Sequence, residues 1–461
     1  MKFKEITIAD IGYTTTGKTP PGALSRAFSS RGIPFITPRD LKGERYISDT
    51  ERFLSREGVM SVSKNIVPKG SVLVSCIGSD LGKAALTTSE SVTNQQINTI
   101  VVENCDVDTM YLYYCLRSRQ EFFKKIAGGS ATPILNKRDF EKTTITFPPI
   151  DYQRSSSRWL DSLDKKIELN QKTNQTLEQI AQAIFKSWFV DFDPVIDNAL
   201  EQGKPLPDAL AKRAEQRKAV RAQQAKGELP SLPKDLRQRF PSEFVFSDEL
   251  GWVPKGWDVS NVGDVVDVVG GGTPSTKNND YWTGGIYNFC APKDMSALKG
   301  NFVFSTNRKL TESGIGKISS GLLPVDTVLM SSRAPIGYLC INKEPVAINQ
   351  GVIALKPNPE FSAEFLLEWL RVNIAQVKNK ANGSTFLEIG KSNFRSIEFL
   401  IPSTDTLEAY NDLVKPLFLK SEVIEKSSKV LEELRDTLLP KLISGELRIP
   451  DAEKLAADAG L

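Results

Sequence analysis

IADIGYTTTGKTPPG, residues 8–22, holds Gly12, four further residues and then Gly17-Lys18-Thr19, the letter pattern of a phosphate-binding loop. Such a loop works by leading out of a strand into a helix whose first amides hold the phosphates. Here Pro20-Pro21-Gly22 comes next, a run that removes donors and favours an extended turn. A second copy decides the reading. Shifting the chain by 254 residues lays Gly17, Thr19 and Pro20 on Gly271, Thr273 and Pro274, and FITPRD (35–40) on FCAPKD (289–294). The match continues with Gly129, Ser130, Lys137 and Phe140 on Gly383, Ser384, Lys391 and Phe394, and with Pro148 on Pro402. Slips of one or two residues add VLVSCIGSDLGK (72–83) on VLMSSRAPIGY (328–338) and NQQ (94–96) on NQG (349–351). A period this long is a duplicated domain, not a solenoid unit. The second copy has Gly272 where a phosphate lysine would stand, with TPSTKNNDYW after it. What the copies share is a Gly-x-Thr-Pro turn into an extended segment, so a nucleotide site at Lys18 is the weaker reading.

Each half repeats one order of parts. Short β-rich runs such as GSVLVSCIG, INTIVV, TITFPP, DTVLMSS and GVIALKP come first, with one amphipathic helix in each half, TMYLYYCLRSRQEFFKKIA (109–127) and AEFLLEWLRVNIAQVKNKA (363–381). A long helical stretch comes after each. Positions 160, 163, 167, 170, 174, 177, 181, 184 and 188 read Leu, Leu, Ile, Asn, Asn, Leu, Ala, Ile, Trp, a spacing of three and four that makes a coiled-coil seam. The same positions plus 254 read Val, Leu, Ser, Ile, Ser, Leu, Arg, Leu, Leu, in a helix that Pro416 and Pro440 should bend locally. One such helix alone would be expected to pack on its own domain. Two at equivalent places in a duplicated chain predict that each buries its seam against the other, antiparallel, with Asn170 and Asn174 setting register. About 40 residues at ~1.5 Å each make a rod of ~60 Å, long enough to act as a ruler.

The expected fold class is therefore α+β: two mixed α/β domains joined by two long helices in an antiparallel coiled coil. The expected boundaries are 1–150 and 257–403 for the domains, 151–193 and 404–446 for the helices, 194–256 for a linker and 447–461 for a tail. The linker includes GKPLPDALAKRAEQRKAVRAQQAKGELPSLPKDLRQRFPSEF, partly helical, whose basic run reads as a solvated face before it reads as a binding site.

Composition limits the chemistry. With 59 basic and 56 acidic residues in 461, the net charge is +3, so a nucleic-acid surface has to be a local patch. Cys76, Cys105, Cys115, Cys290 and Cys340 are odd in number and contain no Cys-x-x-Cys pair, which fits reduced thiols rather than disulfides or zinc. MKFKEITIAD lacks an apolar signal core, and no run of 18 apolar residues is present, so a soluble cytoplasmic protein with no membrane partner is expected. The chain has no histidine, which removes Ser-His-Asp and Cys-His nucleophiles and histidine-metal nucleases together. Acidic pairs such as Asp191 and Asp193 in FVDFDPV are expected to serve capping and surface charge.

Three stretches carry a resemblance: LEQIAQAIFKSWFVDFDPV after the first helix, ELGWVPKGW before the second domain, and LEELRDTLLPKLISGELRI near the C-terminus. With them the chain resembles, over nearly its whole length, the specificity subunits of type I restriction-modification systems. The resemblance implies a non-catalytic subunit with two target-recognition domains, each reading half of a split, asymmetric site in double-stranded DNA. It implies two modification subunits that use S-adenosylmethionine to methylate adenine, and restriction subunits that add ATP- and Mg-dependent translocation and cleavage. This chain shows no Asn-Pro-Pro-Tyr or Phe-x-Gly-x-Gly pattern, so none of these cofactors is expected in it.

The resemblance supplies no base-contacting residues, and these are chosen on physical grounds. Recognition needs Arg, Lys, Asn or Gln on loops at base edges, with other cations on phosphates. The loops shared by the copies offer Arg39 and Lys42 beside Lys293, Lys83 beside Arg333, Gln95 beside Gln350, and Lys137 and Arg138 beside Lys391. For each, an ordinary surface role is the competing reading. Two rival functions stand against DNA recognition: a stand-alone enzyme, as an ATPase through Lys18 or a methyltransferase, and a coiled-coil scaffold with no DNA role.

Overall fold

A computed structural model of the chain describes residues 3–128, 133–383 and 387–458. It separates into two compact units, Met1–Ile167 with Lys429–Leu461, and Glu168–Ser428. The repeat positions Gly129, Ser130 and Ser384 lie outside the described residues.

In the first unit a five-stranded sheet has the order Gly12–Thr16, Ile97–Val102, Val72–Ser75, Ala84–Thr87, Tyr46–Ile47. Val72-Leu-Val-Ser is buried at every position, the pattern of a strand covered on both faces, and it lies mid-sheet. Ile97–Val102 pairs antiparallel with neighbours on both sides, Thr99 opposite Thr15 and Leu73. The edge strand Tyr46–Ile47 is parallel to Ala84–Thr87. A second sheet runs Phe28–Ser29, Phe53–Leu54, Ile33–Ile36, Ser91–Thr93, Ile66–Val67, and Lys4–Thr7 pairs with Thr144–Phe147.

The second unit repeats the large sheet strand for strand and the smaller one in part. Its large sheet is Asp267–Gly270, Val352–Lys356, Val328–Ser331, Leu339–Asn342, Phe302–Val303, again with a parallel edge strand. Its smaller sheet keeps three strands, Arg308–Leu310, Tyr287–Cys290, Val346–Ile348, the last two parallel as Ile33–Ile36 and Ser91–Thr93 are. Asp258–Asn261 pairs with Glu398–Ile401.

The amphipathic stretches differ from expectation in one copy. Ala363–Asn379 is a single helix, but residues 109–126 form two, Thr109–Arg117 and Gln120–Ile126, broken at Ser118–Arg119. Ser118 Oγ donates back to the Cys115 carbonyl, and Gln120 packs on Gly82, where a Cβ would stand 2.9 Å from the Gln120 Cα. Side-chain bonds to the backbone of this kind compete with helix continuation. Gly337 occupies the matching place in the second unit at φ +110, against Ile374.

The long helices run Ile150–Phe189 and Thr404–Ser444, the second continuous across Pro416 and Pro440. In the first unit Leu160 joins Leu438 and Leu442 in one core, while Leu163, Ile167 and Leu431 form a separate cluster. In the second unit Ala181, Phe185 and Trp188 pack with Tyr410, Val414 and Phe418. Within each unit the start of one helix thus lies against the end of the other, which is antiparallel packing; Leu160, Leu163, Ile167, Ala181, Trp188, Val414, Leu431, Leu438 and Leu442 are positions of the anticipated seam, while Phe185, Tyr410 and Phe418 lie beside it. Fully burying each such aliphatic or aromatic side chain contributes about 1.5–3 kcal/mol.

Between the halves stand helices Asp193–Gln202 and Ala211–Ala225. The basic run is a ladder. Arg213 holds Asp193 in a bidentate pair with Nε and Nη2 both at 2.7 Å, Arg217 pairs with Asp197, and Arg221 reaches Glu201 at 3.5 Å. Residues four apart on each helix form one face, so the charges meet in register. Asp191 also pairs with Arg213, and Asp193, expected at the surface, is buried by this ladder and by Ser187.

Candidate nucleic-acid interface

The Gly-x-Thr-Pro turn is a latch, not a phosphate loop. Gly17 N donates to the Ile97 carbonyl at 3.1 Å and Lys18 N to the Thr93 carbonyl at 2.8 Å, so the amides that would face a phosphate are spent. Residues 17–22 contain no helix. A Cβ on Gly17 would stand 2.2 Å from the carbonyl oxygens of Thr93 and Asn94, closer than any side chain allows. The second unit repeats each contact: Gly271 N to Val352 O at 3.3 Å, Gly272 N to Ile348 O at 3.0 Å, and a Cβ on Gly271 2.2 Å from the Ile348 and Asn349 oxygens. Above each turn a threonine hydroxyl bonds a glutamine. Thr19 Oγ1 donates to Gln95 Oε1 at 2.7 Å, and Thr273 Oγ1 donates to Gln350 Oε1.

Arg39 and Lys293 are presented in the same way as each other. In Thr-Pro-Arg-Asp, the Asp40 carboxylate accepts from Thr37 N at 2.7 Å and Thr37 Oγ1 at 2.8 Å; in Ala-Pro-Lys-Asp, Asp294 accepts from Ala291 N at 3.0 Å. Proline at the start of the turn and aspartate at its third position close a capping arrangement, and the cation between them is left exposed. Lys42 lies just past the first of these turns and is exposed.

Backbone bonds gather the candidate loops. In the first unit Asn94 N donates to Ile36 O, Cys76 N to Gln96 O, Leu135 N to Cys76 O and Gly78 N to Pro133 O, which draws together the segments bearing Arg39, Lys83, Gln95 and Lys137. In the second, a Cβ on Gly351 would meet Asn349, Pro292 and Arg333 atoms at 3.0–3.2 Å, so the loops of Gln350, Lys293 and Arg333 meet there. Lys391 lies over Gly270, beside the turn that carries Thr273. Lys137 and Lys391 open matching short helices, Lys137–Glu141 and Lys391–Arg395, and Arg138 is exposed on the first.

Lys83 and Arg333 are not equivalent to each other. Arg333 forms an isolated bridge with Glu388, as Ile77 does with Ile134, so the arginine stands where the first unit has Ile77. Three of the cations have partners that a phosphate can replace: Lys83 with Asp80 at 2.7 Å, Lys137 with Glu141 at 3.5 Å and Arg333 with Glu388 at 3.5 Å. Such partly exposed pairs contribute about 0–1 kcal/mol. The second unit also stacks Arg308 on Trp282, 3.5 Å from the ring centroid, a pairing between residues 26 apart that sequence spacing did not reveal.

Comparison with known proteins bears on a chain built this way. A family model described as "Type I restriction modification DNA specificity domain" matches residues 1–179 and again 254–433. The chain belongs to the type I DNA specificity family. The HindI specificity subunit of Haemophilus influenzae is 28% identical, covering 96% of this chain and 99% of that protein. The MjaIX specificity subunit of Methanocaldococcus jannaschii is 27% identical, covering 96% and 93%. A crystal structure of a type I restriction-modification S subunit from M. genitalium shares the fold, with a TM-score of 0.54 at 15% identity over 96% of each chain. The two family matches coincide with the two copies of the sheet order, and the role of this specificity chain is DNA recognition. Among its described residues no helix is long and apolar enough to cross a membrane, and no group of three or more His, Cys, Asp or Glu side chains could hold a metal ion.

Proposed function

We propose that this chain is the non-catalytic specificity subunit of a type I complex, and that residues 1–150 and 257–403 each read one half of a bipartite, asymmetric site in double-stranded DNA. Arg39, Lys42, Lys83, Gln95, Lys137 and Arg138 serve the first half-site, and Lys293, Arg333, Gln350 and Lys391 serve the second. The long helices space the two readers and dock two modification subunits, which carry S-adenosylmethionine and methylate adenine; restriction subunits add ATP- and Mg-dependent translocation. The observation that carries this reading is the duplication itself: the large sheet has the same strand order in both units, and each unit sets beside it a Gly-x-Thr-Pro turn whose threonine bonds a glutamine.

The test is a domain exchange. Residues 1–150 are replaced by a different recognition domain, the chain is expressed with its modification subunits, and methylated adenines are mapped across the host genome. One half-sequence should change while the other stays as it was. A swap that scrambles both halves would show that the units do not read independently.

A further inference from the structure

The two units are expected to read different sequences, yet one polar device recurs in both. It consists of the Gly-x-Thr-Pro latch, the threonine hydroxyl on a glutamine side-chain oxygen, and an asparagine, Asn94 or Asn349, whose Oδ1 accepts from the backbone N–H two residues on. The neighbouring loop positions are not shared, since Arg333 replaces Ile77. A contact common to two readers of different half-sites has to meet something both half-sites possess. On DNA that is the phosphate backbone, which positions a protein without carrying sequence information.

The hydrogen bonds support the same partner. In the second unit Asn349 Nδ2 donates to Thr273 Oγ1 at 3.3 Å, so the hydroxyl oxygen is accepting and its proton goes to Gln350 Oε1; in the first, Asn94 Nδ2 donates to Gln96 Oε1 instead, and Thr19 Oγ1 gives its proton to Gln95 Oε1. Reading adenine with glutamine takes both ends of the amide, the oxygen for N6–H and the nitrogen for N7. Here the threonine hydroxyl takes up one lone pair of the oxygen and fixes the amide, and both glutamines are exposed, so the Nε2 donors are the groups left for a partner. An amide held by its oxygen and offering its two N–H donors fits a partner that only accepts.

We infer that Gln95 and Gln350 are phosphate-holding residues, each giving an Nε2–H bond to a backbone phosphate oxygen of its half-site, with Thr19 and Thr273 as positioning residues that orient the amide. This deepens the DNA-recognition reading and rests on it.

The test uses the full chain assembled with its modification subunits, binding its own methylation site or a random duplex, each over a range of salt. Gln350→Ala should weaken both duplexes equally, by about tenfold, as expected for losing one hydrogen bond to a charged group. The slope of log affinity against log salt should stay unchanged, because a neutral amide displaces no counterion. Thr273→Val should give a smaller loss of the same kind. Gln350→Arg should restore affinity and steepen the slope by about one. The mapped methylation sequence should be the same for every variant. A loss confined to the specific duplex, or a methylation sequence broadened at one position, would overturn the inference in favour of base reading. Unchanged affinity for both duplexes would overturn it in favour of a plain surface residue. Wild-type complex that binds neither duplex would instead remove the DNA-recognition reading beneath it.

Discussion

Asp164 on the first long helix accepts a 2.7 Å hydrogen bond from Arg435 Nη1 on the second, with both side chains less than a tenth exposed, and another from the Tyr114 hydroxyl at 2.7 Å. Arg435 occupies a seam position, between Leu431 and Leu438, where an apolar residue would have been the simple solution. Asp164, together with Asp436 on Nε at 2.8 Å, makes the charge tolerable there.

Asp164→Ala should therefore destabilise the first unit by about 1–3 kcal/mol, because it leaves buried donors on Arg435 Nη1 and the Tyr114 hydroxyl without their acceptor while Asp436 stays on Arg435 Nε at 2.8 Å. The denaturant midpoint of the full chain reports it. A shift no larger than that of a surface aspartate substitution would show that the pair is not buried in solution.

Lys18→Ala should leave ATP hydrolysis by the assembled complex nearly unchanged, since the Gly17 and Lys18 amides are committed to the Ile97 and Thr93 carbonyls. A true phosphate-loop lysine would be close to essential. Loss of hydrolysis in a properly assembled variant would reverse the reading of this turn.

Stability of the second unit should fall as pH rises through neutrality. Burial raises the Glu368 carboxyl to about 7; Arg371 on the same helix opposes this and Glu178 on the first long helix adds to it. Burial also raises Glu425 to about 7; the amides of Asn301 and Phe302 oppose it, and Glu178 and Glu422 add to it. An unfolded glutamate loses its proton near ~4.3, so between there and about 7 the folded state keeps protons that the unfolded state has released. The resulting stabilisation is complete below the lower value and gone above the upper one. Thermal midpoints recorded from pH 5 to 8 should decline, and Glu368→Gln should flatten the decline and raise the midpoint at pH 8. A profile that rises over this range would contradict the burial of these carboxyls.

Inserting four residues after Gln171 would lengthen the first long helix by ~6 Å and rotate the rest of that helix by ~40°. In DNA terms that is about two base pairs. The methylated site should keep both half-sequences and change its central gap, or methylation should fail because the seam loses register. Normal methylation of the original site with the original gap would show that these helices are not the spacer.

Much of this molecule can be read along the chain. The 254-residue shift shows two copies, and the copies have the same strand order because a duplicated pattern of buried and exposed residues closes on itself in the same way. The spacing of Leu160, Leu163 and Ile167 marks a seam because helical periodicity is a local property. The exposed cations Arg39 and Lys293 are legible for the same reason: proline and aspartate on either side build the turn from within four residues.

Tertiary structure decided whatever depended on partners distant in sequence. The break at Ser118–Arg119 lies in a stretch with the periodicity of one helix and is accompanied by the packing of Gln120 against Gly82. The basic run at 213–221 became a structural ladder once a second helix set Asp193, Asp197 and Glu201 opposite it. Lys83 and Arg333 share a matched loop in the sequence, and strand bridging puts Arg333 in the place of Ile77 rather than of Lys83. The Gly-x-Thr-Pro motif was visible as a repeat, but its purpose was not, because the carbonyls that receive its amides and the glutamine that receives its hydroxyl are some 75 residues further on. Sequence patterns report which residues share a face of one element; which groups satisfy one another across elements is settled only when the chain brings their donors and acceptors within about 3 Å.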